Sequence, residues 1–278
     1  MSVYRLKPKN DFLFKRLFGE SDSKHLLIPL LNAILGAPSR RSISDVTVID
    51  NKELTKQVMD GKSGRLDVRC ETDYHEQIDI EVQIARELAM DKRSLFYISR
   101  MYTDSIKEGS DYTQLKKTIA INILEFDFLP SSHFHSMFQL RDSSAPEIVL
   151  ADTIELHFLE CAKFRRIMPD LRNPLHRWLL FLDERTTQQQ MKELISMDGS
   201  IKSAEERLEW LSSDEKTRQL YEAREEELYE RTSLFNAGIR KGTEETKLET
   251  AKKLLSLGVE IDKIEKATGL KQAQFMKD

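Results

Sequence analysis

At 278 residues, with 40% hydrophobic and 32% charged side chains, the chain is long enough for one main domain with a sizeable core plus an appendage. Its net charge of −4 provides no overall basic field for nucleic acid, although acids and bases balance up to residue 130 and the whole deficit lies beyond it. No apolar run approaches a membrane span and the first residues lack a signal peptide's apolar core; Cys70 and Cys161 stand far apart, which argues against a disulfide scaffold or a Cys-x-x-Cys zinc site, so a reducing cytoplasm is the expected setting.

In chain order, residues 10–19 predict a short helix that starts at Asn10 or Asp11. Phe12, Phe14, Leu17 and Phe18 read as its core side chains. A second helix is expected over 22–35, stopped by Gly36 and Pro38, and then a strand over 44–50. Residues 66–84 predict a hairpin, because both arms alternate apolar with polar. In the second arm Ile78, Ile80, Val82 and Ile84 share one face and Asp79, Glu81 and Gln83 the other; in the first, Asp67 and Arg69 oppose Leu66 and Val68. A matching register projects Asp67, Asp79 and Glu81 from one surface, and carboxylates held together commonly hold a divalent cation. A sheet with one solvated face shows the same alternation and is the plainer reading.

A long helix follows over about 88–108, ending at Gly109, then an apolar strand over 118–125 that fits a buried central position. Pro130 opens a turn, 137–141 and 153–159 predict two more strands, and helix resumes at Pro174. His133 and His135 are the only histidines with a spacing suggestive of metal. From Glu184 apolar residues thin out, and Thr186 to Gln190 reads as a surface loop or helix start. Residues 214–231 predict an exposed helix with same-helix ion pairs and no sustained heptads. The tail from Thr250 carries short helices, with Gly258 to Ile264 similar to the turn and second helix of a helix-turn-helix and a stop at Gly269. The regions thus delimited are 1–183, 184–249 and 250–278.

The spacing of Asp67, a turn, and Glu81-x-Gln83 on the next strand resembles the PD-(D/E)XK nuclease core. Leu6 to Gly19, Leu26 to Gly36, Lys92 to Tyr97, Gly109 to Tyr112 and Ile119 to Phe126 follow in an order similar to that of one branch, the recombination-promoting nucleases or PD-(D/E)XK nuclease family transposases. Ala251 to Leu255 and Gly258 to Leu270 resemble its tail more loosely. The resemblance implies an α/β, restriction-endonuclease-like core, a mixed sheet flanked by helices, with a helical C-terminal region. It implies a DNA endonuclease dependent on Mg²⁺, with Mn²⁺ as a substitute, that promotes recombination or acts on mobile or foreign DNA. Asp67 and Glu81 would hold the metal together with the Val82 carbonyl, and Asp11 is a further family-like acid.

Gln83 stands where the superfamily has Lys; it can orient a water by hydrogen bonds but brings no charge. Positive charge for the DNA phosphate must then come from elsewhere, and Lys15, Lys92 and Arg93 are the candidates. Cutting both strands of a duplex calls for a homodimer or higher oligomer. The alternatives are a catalytically inactive DNA-binding or assembly protein with the same fold, and an unrelated protein whose sheet faces water.

Overall fold

The computed structural model describes residues 5–36, 41–49, 68–86 and 89–276. The expected arm positions 66 and 67, position 50 and the expected helix start at 88 lie outside them.

Helix α1 (Asp11–Phe18) starts where Asn10 Oδ1 accepts the Leu13 N–H at 3.2 Å, and Asp11 in the first turn suits the helix dipole. Leu13, Phe14, Leu17 and Phe18 are buried, each contributing about 1.5–3 kcal/mol; Phe12 packs only partly buried against this core. Gly19 ends the helix close to the sheet: a Cβ there would lie 2.9 Å from the Lys15 carbonyl oxygen and 3.2 Å from Val68 Cγ2. Helix α2 (Lys24–Leu35) buries Leu26, Leu27, Leu30, Leu31, Ile34 and Leu35.

Strands β1 (Val46–Val48), β2 (Val68–Thr72), β3 (Gln77–Gln83), β4 (Thr118–Leu124), β5 (His135–Phe138) and β6 (Ile154–Glu160) form one mixed sheet in the order β1-β2-β3-β4-β6-β5. The β1–β2 and β2–β3 pairs are antiparallel, β3–β4 and β4–β6 are parallel, and β5 closes the far edge antiparallel to β6. Helix α3 (Met90–Thr103) is the connection that makes β3 and β4 parallel. Strand β4 is buried along its whole length, as its unbroken apolar run predicts.

The two faces of the sheet differ in what covers them. Ile78, Ile80, Val82, Ile119, Ile121 and Ile123 share one core with α1 and α2. Ala120, Leu124, Leu156 and Phe158 share another with Met90 and Ile98 of α3. The polar residues of β3 point toward this second layer, so their face is no solvated surface: Asp79 and Glu81 are each only 6% exposed. The plainer sequence reading, a sheet face turned to water, fails here because α3 lies over it.

Several element bounds differ from expectation. The second helix begins at Lys24 after a 3-10 turn at Ser21–Ser23, and the expected 44–50 strand is only Val46–Val48. Helix α3 stops at Thr103, before the turn in which Gly109 takes φ +83°. The strand expected at 137–141 starts and ends earlier, and Arg141 retains only an isolated bridge to Val149.

Short α4 (Cys161–Phe164) follows β6, and α5 (Pro174–Leu182) opens on its proline under an Asn173 cap. Thr186 to Gln190 is a helix start: Thr187 and Gln190 form a reciprocal capping box for α6 (Gln188–Met197). Helices α6 and α7 (Gly199–Ser213) put Met191, Leu194, Ile201, Ala204, Leu208 and Leu211 into the main core. The chain forms two compact units, Met1–Glu222 and Ala223–Asp278. Apolar residues are sparse beyond Glu184 because only one stripe of each helix faces inward.

Helix α8 (Glu215–Ser256), 42 residues long, runs through that division. It starts on Asp214, whose carboxylate accepts the Thr217 N–H at 2.8 Å, and carries the expected ion pairing at Arg224–Glu227. In the second unit, Ala251, Ile264 and Phe275 form a small core between the end of α8, α9 (Ile261–Thr268) and α10 (Gln272–Phe275). Gly258 and Gly269 make the turns at φ +78° and +70°, where a side chain would be strained.

Candidate active site

The candidate site grows from the polar face of β3. Glu81 and Gln83 are two apart in a strand and therefore neighbours on one face. The Gln83 amide Nε2 donates to Glu81 Oε1 at 2.5 Å, and Arg93 Nη2 of α3 donates to the same oxygen at 2.7 Å. The Arg93 guanidinium also lies over the Tyr97 ring, 5.4 Å from its centroid, one helical turn on. Helix α3 brings these groups down because Met90, Ser94, Ile98 and Met101 form its buried stripe.

The register across the sheet sets the neighbours. Glu81 pairs with Asn122 on β4, and both are buried. Ser94 Oγ donates to Asn122 Oδ1 at 3.1 Å, while Asn122 Nδ2 donates to the His157 carbonyl at 3.2 Å. Asp79 pairs with Arg69 on β2, itself 8% exposed and donating to Gln77 Oε1 at 2.6 Å. Burial pulls the Arg69 pKa down from its ordinary value, and the charges of Asp79, Asp104 and Glu71 pull it back up. Acid and base thus alternate over this face: Arg69 beside Asp79, Glu81 beneath Arg93.

The helix that carries Arg93 begins under strain. Ala89, just before it, takes φ +56°, a left-handed conformation that costs a non-glycine residue about 1–2 kcal/mol. Its carbonyl accepts the Arg93 N–H at 2.9 Å.

Of the residues expected from sequence, Glu81, Gln83 and Arg93 are brought together. Val82 turns its side chain into the opposite core. Asp67 lies outside the described residues; it directly precedes Val68, which pairs with Ile80. Asp11 and Lys15 belong to α1, which packs on the other layer, and Asp11 Oδ1 accepts the Phe12 N–H at 2.8 Å. Lys92 is exposed on α3. Sequence reasoning placed Asn122 and Ser94 in family-like segments but gave neither a part in the site. It did not see that Arg69 faces Asp79, although a base two residues after Asp67 and opposite an Asp-x-Glu arm was there to read.

The mixed sheet, the helix connecting β3 to β4 and the Glu-x-Gln face of β3 define a PD-(D/E)XK nuclease-type fold. The chain matches the family model of the PD-(D/E)XK nuclease family transposases over residues 8–238, most of its length, and it belongs to that family. No curated protein and no solved structure matched in the same comparisons.

Among the described residues no three His, Cys, Asp or Glu side chains converge as a metal-ready group. The donor that β3 presents among the described residues, the Glu81 carboxylate, is a hard oxygen of the kind Mg²⁺ takes, so its chemistry fits such an ion. His135 and His157 do meet, with Nε2 and Nδ1 at 3.0 Å, but they lie at the β5–β6 edge. Among the described residues no helix is long and apolar enough to cross a membrane.

Proposed function

We propose that the chain is a metal-dependent endonuclease that hydrolyses phosphodiester bonds of DNA and promotes recombination or acts on mobile or foreign DNA. The observation that carries this reading is Glu81: a carboxylate buried on a central strand, bonded by Gln83 and Arg93, in a chain of a nuclease family. Glu81, Asp67 and the Val82 carbonyl would hold Mg²⁺, or Mn²⁺ in its place, with Asp11 as a further ligand. A divalent cation so held would supply an activated water and offset the charge that develops on the phosphate. Gln83 keeps Glu81 oriented and presents its amide to the attacking water. Asn122, fixed by Ser94, closes the neighbouring position and holds the floor of the site rigid. Lys15, Lys92 and Arg93 would meet the DNA backbone. A homodimer or higher oligomer working in the cytoplasm would cut both strands.

One observation favours the alternative, a catalytically inactive DNA-binding or assembly protein: the chain's own Arg93 already neutralises Glu81. The two readings separate in a nicking and linearisation assay on supercoiled plasmid, with Mg²⁺ and with EDTA. Cleavage by the wild type that needs Mg²⁺ and is lost in both Asp67→Asn and Glu81→Gln supports the nuclease. A wild type silent under every divalent ion, or variants that cut as well as it does, supports the alternative.

A further inference from the structure

The inference drawn here rests on the nuclease reading and concerns how its site is kept before a metal arrives. Glu81 Oε1 accepts from two donors of different kinds. Gln83 is neutral and sits on the same strand, so it can stay beside the carboxylate whatever else binds. Arg93 is a full positive charge on the same oxygen, and a divalent cation on that oxygen has to replace it. The pair is uneven in its exposure, 24% for the Arg93 side chain against 8% for Glu81. The guanidinium is therefore the partner nearer solvent and can leave without any opening of the sheet. It already lies over the face of Tyr97, a contact it can keep when it leaves the carboxylate.

We propose that Arg93 is an exchangeable counter-ion of Glu81. It neutralises the buried carboxylate while no metal is bound, and gives it up to the incoming divalent cation. The released guanidinium then stands at the mouth of the site, where its planar fork of donors suits a phosphate. This accounts for a site in which Gln83 brings no charge: the positive group comes from the next helix and becomes available only once the metal is in place.

The test is Mn²⁺ titration by calorimetry without DNA, and thermal melting in EDTA and in saturating Mn²⁺, for the wild type, Arg93→Gln, Arg93→Lys and Glu81→Gln. Arg93→Gln is expected to bind Mn²⁺ about tenfold more tightly than the wild type, because the Arg93 charge no longer competes. It should melt below the wild type in EDTA and level with it in Mn²⁺. Arg93→Lys, which keeps a cation, should stay near wild-type affinity. Unchanged or weaker Mn²⁺ binding by Arg93→Gln, or an equal loss of melting temperature with and without metal, would make Arg93 a fixed support and overturn the exchange. The wild type gives an independent reading by NMR: the Arg93 ¹⁵Nε resonance should shift during a Mg²⁺ titration, and a resonance that does not move overturns the proposal. If Glu81→Gln binds Mn²⁺ as the wild type does, the metal centre itself is wrong and the exchange falls with it.

Discussion

Two carboxylates on one buried strand face have different partners, and so different jobs. Asp79 faces Arg69 across the β2–β3 pair, both nearly closed to solvent, whereas Glu81 faces the more accessible Arg93. Asp79 is thereby placed to hold the sheet, and Glu81 is the carboxylate we propose for the chemistry. Arg69→Met should destabilise the protein by about 3 kcal/mol in urea unfolding, because it strips a buried carboxylate of a neighbouring charge. The double variant Arg69→Met/Asp79→Leu should recover most of that loss.

His135 gives a pH prediction of definite sign. Burial, reinforced by His157, pushes its pKa down to about 4, against about 6.5 in the unfolded chain. The unfolded state takes up the proton first, so the contribution is whole above pH about 6.5 and is lost progressively as pH falls toward 4. It amounts to something on the order of 2 kcal/mol. Melting temperatures of the wild type should fall over that window, and His135→Gln should flatten the fall. Glu81 and Gln83 were legible in the sequence because strict alternation puts them on one face. Alternation says nothing about what covers a face, so the Arg93 contact and the Asn122–Ser94 pair became visible only once α3 was in place.

At the level of elements, α3 does two things at once: it links two parallel strands and lays its buried stripe over their polar face. The sequence gives its helical character but not its second role. For α6 and α7 the reverse holds. Their apolar residues are sparse in the sequence, yet Leu208 and Leu211 are fully buried in the main core. Leu208→Ala should therefore cost about 2–5 kcal/mol in a denaturant titration, whereas a helix lying outside the core would lose well under 1 kcal/mol. Element ends were the least legible feature, since capping by Asn10 or Thr187 leaves a local mark but the early stop of α3 at Thr103 does not.

For the whole molecule, the contact division after Glu222 has a consequence that a boundary at 183 does not share. A chain cut after Glu222 keeps every residue of the main core and should melt cooperatively by circular dichroism. A chain cut after Asp183 loses α6 and α7 and should not. Family membership over residues 8–238 fits the longer unit, because the match runs through both helices and into α8.

The proposed function turns on Glu81 as the metal-binding carboxylate of a nuclease site. Its most direct test is a crystal of the wild type soaked in Mn²⁺ and measured for anomalous scattering. A peak is expected about 2.2 Å from a Glu81 carboxylate oxygen and from the Asp67 carboxylate, with Arg93 turned off Glu81. A fully soaked crystal with no peak at Glu81, and with the Arg93 bond intact, would contradict it.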